Sequence, residues 1–148
     1  MKSFLVRNKV PQVRWSKIPD NTYFEGNVPE SYSLAISPSK GYVILDVDEH
    51  GEISGDANIP FLIKIELQKT LNYPTKGNGV HYWLKYSGNK ELTNKPSGLG
   101  IDLRTHRGYA IWYDKRDIRE CNSLIKETSI ELNEWLEKLF YNKKVSDE

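Results

Sequence analysis

Asp46 and Asp48 stand two residues apart in the stretch Gly41-Tyr-Val-Ile-Leu-Asp-Val-Asp-Glu-His-Gly51. Tyr42, Val43, Ile44, Leu45 and Val47 are strand formers bounded by glycines, a setting in which aspartate is depleted. Strand side chains alternate faces, so residues i and i+2 project together, with Cα atoms about 6.5–7 Å apart. Two carboxylates held this way cost free energy unless a cation lies between them or one takes up a proton. A divalent metal is the commonest resolution. The plain alternative is a strand that ends at Leu45, followed by a solvated turn. A calcium-loop spacing also fits in part, with acids at its first and third positions, Gly51 at the sixth and Ile53 at the eighth. Its fifth and twelfth positions, His50 and Ala57, do not supply the expected ligands, and the preceding run is a strand pattern.

Two further groups join the pair. Asp102 follows one apolar residue in Gly100-Ile-Asp-Leu-Arg104 and completes a candidate three-carboxylate site for two metals. Such a site suits in-line attack at phosphorus, one metal activating the attacking oxygen and the other stabilising the leaving one. His81, after the basic loop Lys76-Gly-Asn-Gly79, is a candidate phosphate contact, although a lone strand histidine is more often packed. Arg104, two residues beyond Asp102, shares its face and can meet a triphosphate or a template phosphate, and Lys76 is a second candidate nucleotide contact.

The elements that must position these residues read as follows. Lys9–Ser16 suggests an edge strand, Ser33–Ser37 a strand, and Pro38–Gly41 the turn of a hairpin into the central strand. Ala57–Leu71 has an approximate helical face of Ile59, Leu62, Ile63, Leu67 and Leu71, with Asp56 as N-cap. Val80–Tyr86 and Tyr109–Tyr113 read as strands, Ile101–Arg104 as a short extended segment, and Ser87–Gly100 as a mobile loop. A capping box at Thr128…Glu131 opens a last helix over 128–142, whose stripe of Leu132, Trp135, Leu136, Leu139 and Phe140 is a core-packing face; the tail from Asn142 is expected to fray.

Composition narrows the class. At 148 residues, 38% apolar and 11% aromatic, the chain fits one soluble α+β domain. The single Cys121 excludes an internal disulfide framework and a cysteine-based zinc site. No run approaches the roughly 20 apolar residues of a membrane span, and the first residues do not form a signal peptide, so a cytoplasmic, membrane-free protein is expected. The net charge of +1 hides an asymmetry. Residues 41–56 hold five acids and no Lys or Arg, whereas Lys76–Arg107 holds six bases (Lys76, Lys85, Lys90, Lys95, Arg104 and Arg107) against two acids. An acidic cluster followed by a basic one suits a metal beside a polyanion. Lys85, Lys90, Lys95 and Arg107 are accordingly candidate nucleic-acid contacts.

Val43-Ile-Leu-Asp46-Val-Asp48, Gly79-Val-His81-Tyr-Trp and Gly100-Ile-Asp102-Leu-Arg104…Gly108-Tyr, in that order, resemble the three motifs of the bifunctional DNA primase–polymerase (prim-pol) family of the archaeo-eukaryotic primase superfamily, common in phages and plasmids. Lys9-Val-Pro…Trp15-Ser16 is similar to that family's N-terminal signature, and the resemblance runs from about Lys9 to Tyr113. It implies a primase–polymerase-like fold with a mixed or antiparallel RRM-like sheet and flanking helices. It implies that Asp46, Asp48 and Asp102 hold catalytic Mg²⁺ or Mn²⁺ and that His81 binds the phosphates of the incoming nucleoside triphosphate. The implied activity is template-directed nucleotidyl transfer on single-stranded DNA template and primer, by a phage- or plasmid-encoded enzyme. Extension, or work beside a separate helicase or single-strand-binding protein, is expected more readily than de novo priming. The alternative is a reduced relative that holds single-stranded nucleic acid or nucleotide without turnover, using Tyr82, Trp83 and Tyr86 for stacking.

Overall fold

The computed structural model describes residues 1–141 and is of mixed α+β architecture. In chain order the strands are β1 (Lys2–Arg7), β2 (Val10–Pro11), β3 (Ser33–Ser37), β4 (Tyr42–Val47), β5 (Glu49–His50), β6 (Ile53–Ser54), β7 (Asn72–Pro74), β8 (Val80–Lys85), β9 (Lys95–Pro96), β10 (Ile101–Arg104), β11 (Ala110–Ile111) and β12 (Lys126–Glu127). The helices are α1 (Phe61–Leu67), α2 (Ile118–Cys121) and α3 (Ile130–Phe140). One sheet runs β11-β3-β1-β2; a second runs β12-β8-β4-β10-β9, with β7 also on β8; β5 and β6 form a third, two-stranded sheet. All pairs are antiparallel except β12 with β8.

The alternation of β4 explains how the layers stack. Val43, Leu45 and Val47 face one side, where they pack with Tyr82, Leu84, Ile101 and Leu103 under α1 and α3. Leu132, Leu136 and Phe140 of α3 are completely buried there. Ile44 faces the other side and packs with Trp83, Trp112, Ile36 and Ala110, which ties the second sheet to the first. Asp46 shares the parity of Ile44, so its carboxylate emerges on the side of the first sheet, where that cover runs out.

Several sequence-based expectations change. The first strand is Lys2–Arg7, and Trp15 begins a short 3-10 turn instead of closing an edge strand. The strands flanking Pro38–Gly41 do not form a hairpin: β3 pairs with β1 and β11, β4 with β8 and β10, and the turn carries the chain from one sheet to the other. The helix after Asp56 is shorter than its apolar pattern, because Pro60 sits extended at its start and confines it to Phe61–Leu67. Ile63 and Leu67 are buried, but Leu62 is 76% exposed. Asp56 opens only a separate 3-10 turn. Ser129, not Thr128, caps α3, its hydroxyl accepting from the Leu132 N–H at 3.1 Å. Tail residues 142–148, including the last position of the expected helix, lie outside the described residues. Segment 87–100 is not structureless, since it contains β9 and Leu92 bridges to Tyr141. A calcium loop is excluded by geometry: the stretch in question is the end of β4 followed by the β5–β6 hairpin.

Candidate active site

The registers of four adjacent strand pairs place one row of residues across the second sheet: Tyr73 opposite His81, His81 opposite Asp46, Asp46 opposite Asp102, and Asp102 opposite Pro96. Directly opposed residues share a face, with Cβ atoms about 4.5–5.5 Å apart, and like charges so opposed are destabilising. Asp46 and Asp102 stand in that relation. Asp48 follows at the end of β4, so three carboxylates gather at one corner of the sheet. Burial, followed by the charges of Asp46 and Asp48, raises the Asp102 carboxyl above its ordinary range, against the pull of Arg104.

Asp48 is held by its backbone. Its N–H donates to the Gly100 carbonyl and its carbonyl accepts from the Gly55 N–H, both at 2.8 Å. Three glycines make this possible. A Cβ on Gly55 would collide with the Gly100 carbonyl oxygen, and one on Gly100, whose φ is +78°, would stand 2.9 Å from the Asp48 carbonyl oxygen. A Cβ on Gly79 would stand 2.5 Å from both Asp48 Oδ1 and the Val47 carbonyl oxygen. Gly79 and Gly100 stand in expected loops, at the head of the His81 and Asp102 motifs, with no packing role of their own expected from the sequence. Their role lies in contacts between segments far apart in the chain, which no local pattern encodes.

His81 is 5% exposed and already has neighbours on both ring nitrogens. Nδ1 lies 3.2 Å from the Tyr73 hydroxyl, which accepts from the Trp83 indole N–H at 3.0 Å. The indole nitrogen only donates, so the Tyr73 hydroxyl accepts from it and keeps its own proton to offer; offered to Nδ1 of a neutral ring, that proton leaves the imidazole proton on Nε2. Nε2 lies 3.3 Å from Asp46 Oδ1. That approach is not a well-formed hydrogen bond, because Asp46 Oδ1 is buried without a hydrogen-bond partner. An unpartnered buried carboxylate oxygen is costly, and it marks a place for a donor or a cation. Tyr73 and Trp83 thus act behind His81, and neither sequence motif nor spacing pointed to Tyr73.

Asp46, Asp48 and His81 line a cavity of about 310 Å³, together with Lys76 from the β7–β8 loop, Arg104, Tyr109 and Tyr113. Burial and the charges of Asp46 and Asp48 raise the Tyr113 hydroxyl, and its ring lies 6.0 Å from that of His81. The structure therefore brings Asp46, Asp48, His81, Lys76 and Arg104 to one cavity, with Asp102 beside it in the sheet. Lys95 and Arg107 line a neighbouring cleft and Lys90 a third. Lys85 lies at the far end of β8, opposite Tyr42, and lines none of these. Tyr82 and Trp83, candidates for stacking, are buried in the two cores.

Among the described residues no three His, Cys, Asp or Glu side chains converge into a cage for a metal ion. This does not disqualify the carboxylates, because Mg²⁺ keeps several waters and is usually held by one or two carboxylates plus substrate phosphates. The oxygen donors, the orphaned Asp46 Oδ1 and the opposed charges fit a hard divalent cation. The chain matches no protein-family model, and no curated protein matches it in sequence.

Proposed function

We propose that the protein is a metal-dependent nucleotidyltransferase of the primase–polymerase type, extending a strand on a single-stranded template. The observation that carries the reading is the cross-strand row His81–Asp46–Asp102 with Asp48 at its end. A site built only to bind a polyanion gains nothing from Asp46 and Asp48 in its lining and Asp102 beside it in the sheet. Bound Mg²⁺ or Mn²⁺ would supply charge neutralisation at the reacting phosphate. Asp46 and Asp48 would hold it, with Asp102 completing the oxygen donors. Lys76 and Arg104 flank the same cavity and suit the nucleotide's phosphates. In the tautomer protonated on Nε2, His81 would donate to a phosphate oxygen while Tyr73 holds the ring through Nδ1.

The alternative is binding of nucleotide or single strand without turnover. Primer extension with Mg²⁺ or Mn²⁺ separates the two. Extension that is lost in Asp46→Asn supports the transferase. No extension in either metal, with nucleotide still bound, supports the binder. Calorimetry of Mn²⁺ binding to Asp46→Asn tests the metal assignment by itself, and unchanged affinity would remove it.

A further inference from the structure

Two clefts adjoin the carboxylate cavity. The nearer, of about 460 Å³, shares Arg104 and Tyr109 with it and adds Trp15 and Lys95. The farther, of about 450 Å³, shares Arg107 with the nearer and adds Lys40, Lys90 and His106. One surface path therefore leads from the acids to a basic pocket through shared side chains. The far pocket is lined by Tyr42 and Val43, the start of β4, and the near cavity by Asp46 and Asp48, its end. The path is about 13–20 Å long at strand rise. That is room for roughly four nucleotides, the lower end of single-strand groove sizes.

The charge along the path is ordered. Basic residues recur through all three clefts, and the single acid lining the far pocket, Glu91, stands 3.9 Å from Arg107 in a loose, exposed pair. Partial burial, then the charges of Arg107 and Lys40, hold the His106 imidazole below its usual range, as expected of an electropositive pocket. Trp15 occupies the middle. Its indole stacks on Phe4 with ring centres 5.7 Å apart, Lys2 Nζ lies 5.6 Å from its centre, and Tyr109 meets its edge at 5.4 Å. Lys2 and Phe4 are two residues apart on β1, so both back the ring from one strand face. A braced, half-buried aromatic ring along a row of basic clefts is the pattern of a single-strand groove.

We infer that the three clefts form one track for a single-stranded polynucleotide, with Trp15 as the platform on which a base stacks and Lys40, Lys90 and Arg107 as its distal phosphate contacts. The track rests on the proposed function for its direction, since the reacting end lies at Asp46 and Asp48. Its binding chemistry stands apart from turnover. An acidic peptide is the poorer occupant, since acidic side chains supply no ring to stack on Trp15.

The test is fluorescence anisotropy of a labelled oligothymidylate of roughly eight nucleotides, without metal or nucleoside triphosphate, across a salt series. Trp15→Ala should weaken binding roughly 5- to 150-fold. Lys90→Ala and Arg107→Ala, on exposed side chains, should each flatten the log K against log salt slope by about 0.7. Lys85→Ala, off the path, should do neither. Binding that is independent of salt, or unchanged in Trp15→Ala and Arg107→Ala with circular dichroism intact, would overturn the track. So would displacement by polyglutamate as effective as by unlabelled oligonucleotide. Absence of primer extension with these binding effects intact counts against the transfer reaction alone.

Discussion

Replacing Gly79 by alanine adds one methyl group where the loop between β7 and β8 passes the end of β4. That methyl would stand 2.5 Å from Asp48 Oδ1, 2.5 Å from the Val47 carbonyl oxygen and 3.0 Å from Thr75 Oγ1. The Asp48 carboxylate can turn aside, but the Val47 carbonyl belongs to β4 and cannot, so the loop must move. Overpacking of this kind costs about 1–3 kcal/mol. For a chain of this size the midpoint of thermal unfolding should fall by about 3–10 °C. Mn²⁺ affinity should fall by roughly 10- to 100-fold, the usual effect of disturbing a group that orients a metal ligand. Gly77 in the same loop is the control, since a Cβ there would meet nothing within 4 Å. Gly77→Ala should be neutral or slightly stabilising through the unfolded chain, by up to about 1 kcal/mol. Differential scanning calorimetry and Mn²⁺ titration of the two variants would decide the matter. If Gly79→Ala matched Gly77→Ala in both, the packing of this loop against Asp48 would have no part in holding the site.

Three other outcomes are expected. Tyr73→Phe should lower stability by about 1–3 kcal/mol in denaturant unfolding, because it strands the buried Trp83 indole N–H and the His81 Nδ1 acceptor; a change below a few tenths would mean those contacts are not made. His106 should titrate below 6.5 by NMR. Because its folded pKa is lowered, the unfolded chain takes up this proton first, so the contribution to stability is present above 6.5 and is lost as pH falls from there through the lowered folded value; Arg107→Ala should move the titration upward, and a titration at or above 6.5 in the native protein would contradict the partial burial and positive surroundings of this imidazole. Ser129→Ala should cost about 1 kcal/mol in thermal unfolding by removing the α3 cap, whose hydroxyl also donates to Glu66, while Thr128→Ser should be nearly silent at that cap.

The strands bearing the candidate site were legible because their residues are mostly branched or aromatic: Tyr42–Val47, Val80–Lys85 and Ile101–Arg104 all lie within the expected segments. Period-two alternation also put Asp46 and Asp48 together. What the sequence could not show is register. That Asp46 falls opposite both His81 and Asp102 depends on pairings across 35 and 56 residues of chain, and a slip of one residue would have sent either partner to the helix side. The hairpin expected at Pro38–Gly41 failed for the same reason: turn chemistry specifies a reversal, not whether the flanking strands hydrogen-bond to each other. Leu62 misled because an approximate apolar face does not fix which residues meet the core: within α1 only Ile63 and Leu67 are buried. Lys85 was grouped with the other bases by sequence proximity, although strand length carries it to the opposite end of the sheet from the acids.

The order β7-β8-β4-β10-β9 also bears on how the molecule assembles. β7 and β8 are joined by a short loop, as are β9 and β10, so each pair can form by local chain reversal. β4 precedes both and lies between them. Two isolated hairpins are marginal in water, and neither is secured until the strand that separates them is seated. Closing those long loops is the entropic toll of the process, and the apolar run Val43–Val47 offsets it on both faces at once. The insertion of β4 is thus the step at which His81 and Asp102 first acquire Asp46 between them. Stopped-flow refolding of Val43→Ala reads this directly, with slower folding expected and faster unfolding alone contradicting it. A partly assembled chain has no half-formed site, and the acidic corner comes into being together with the core.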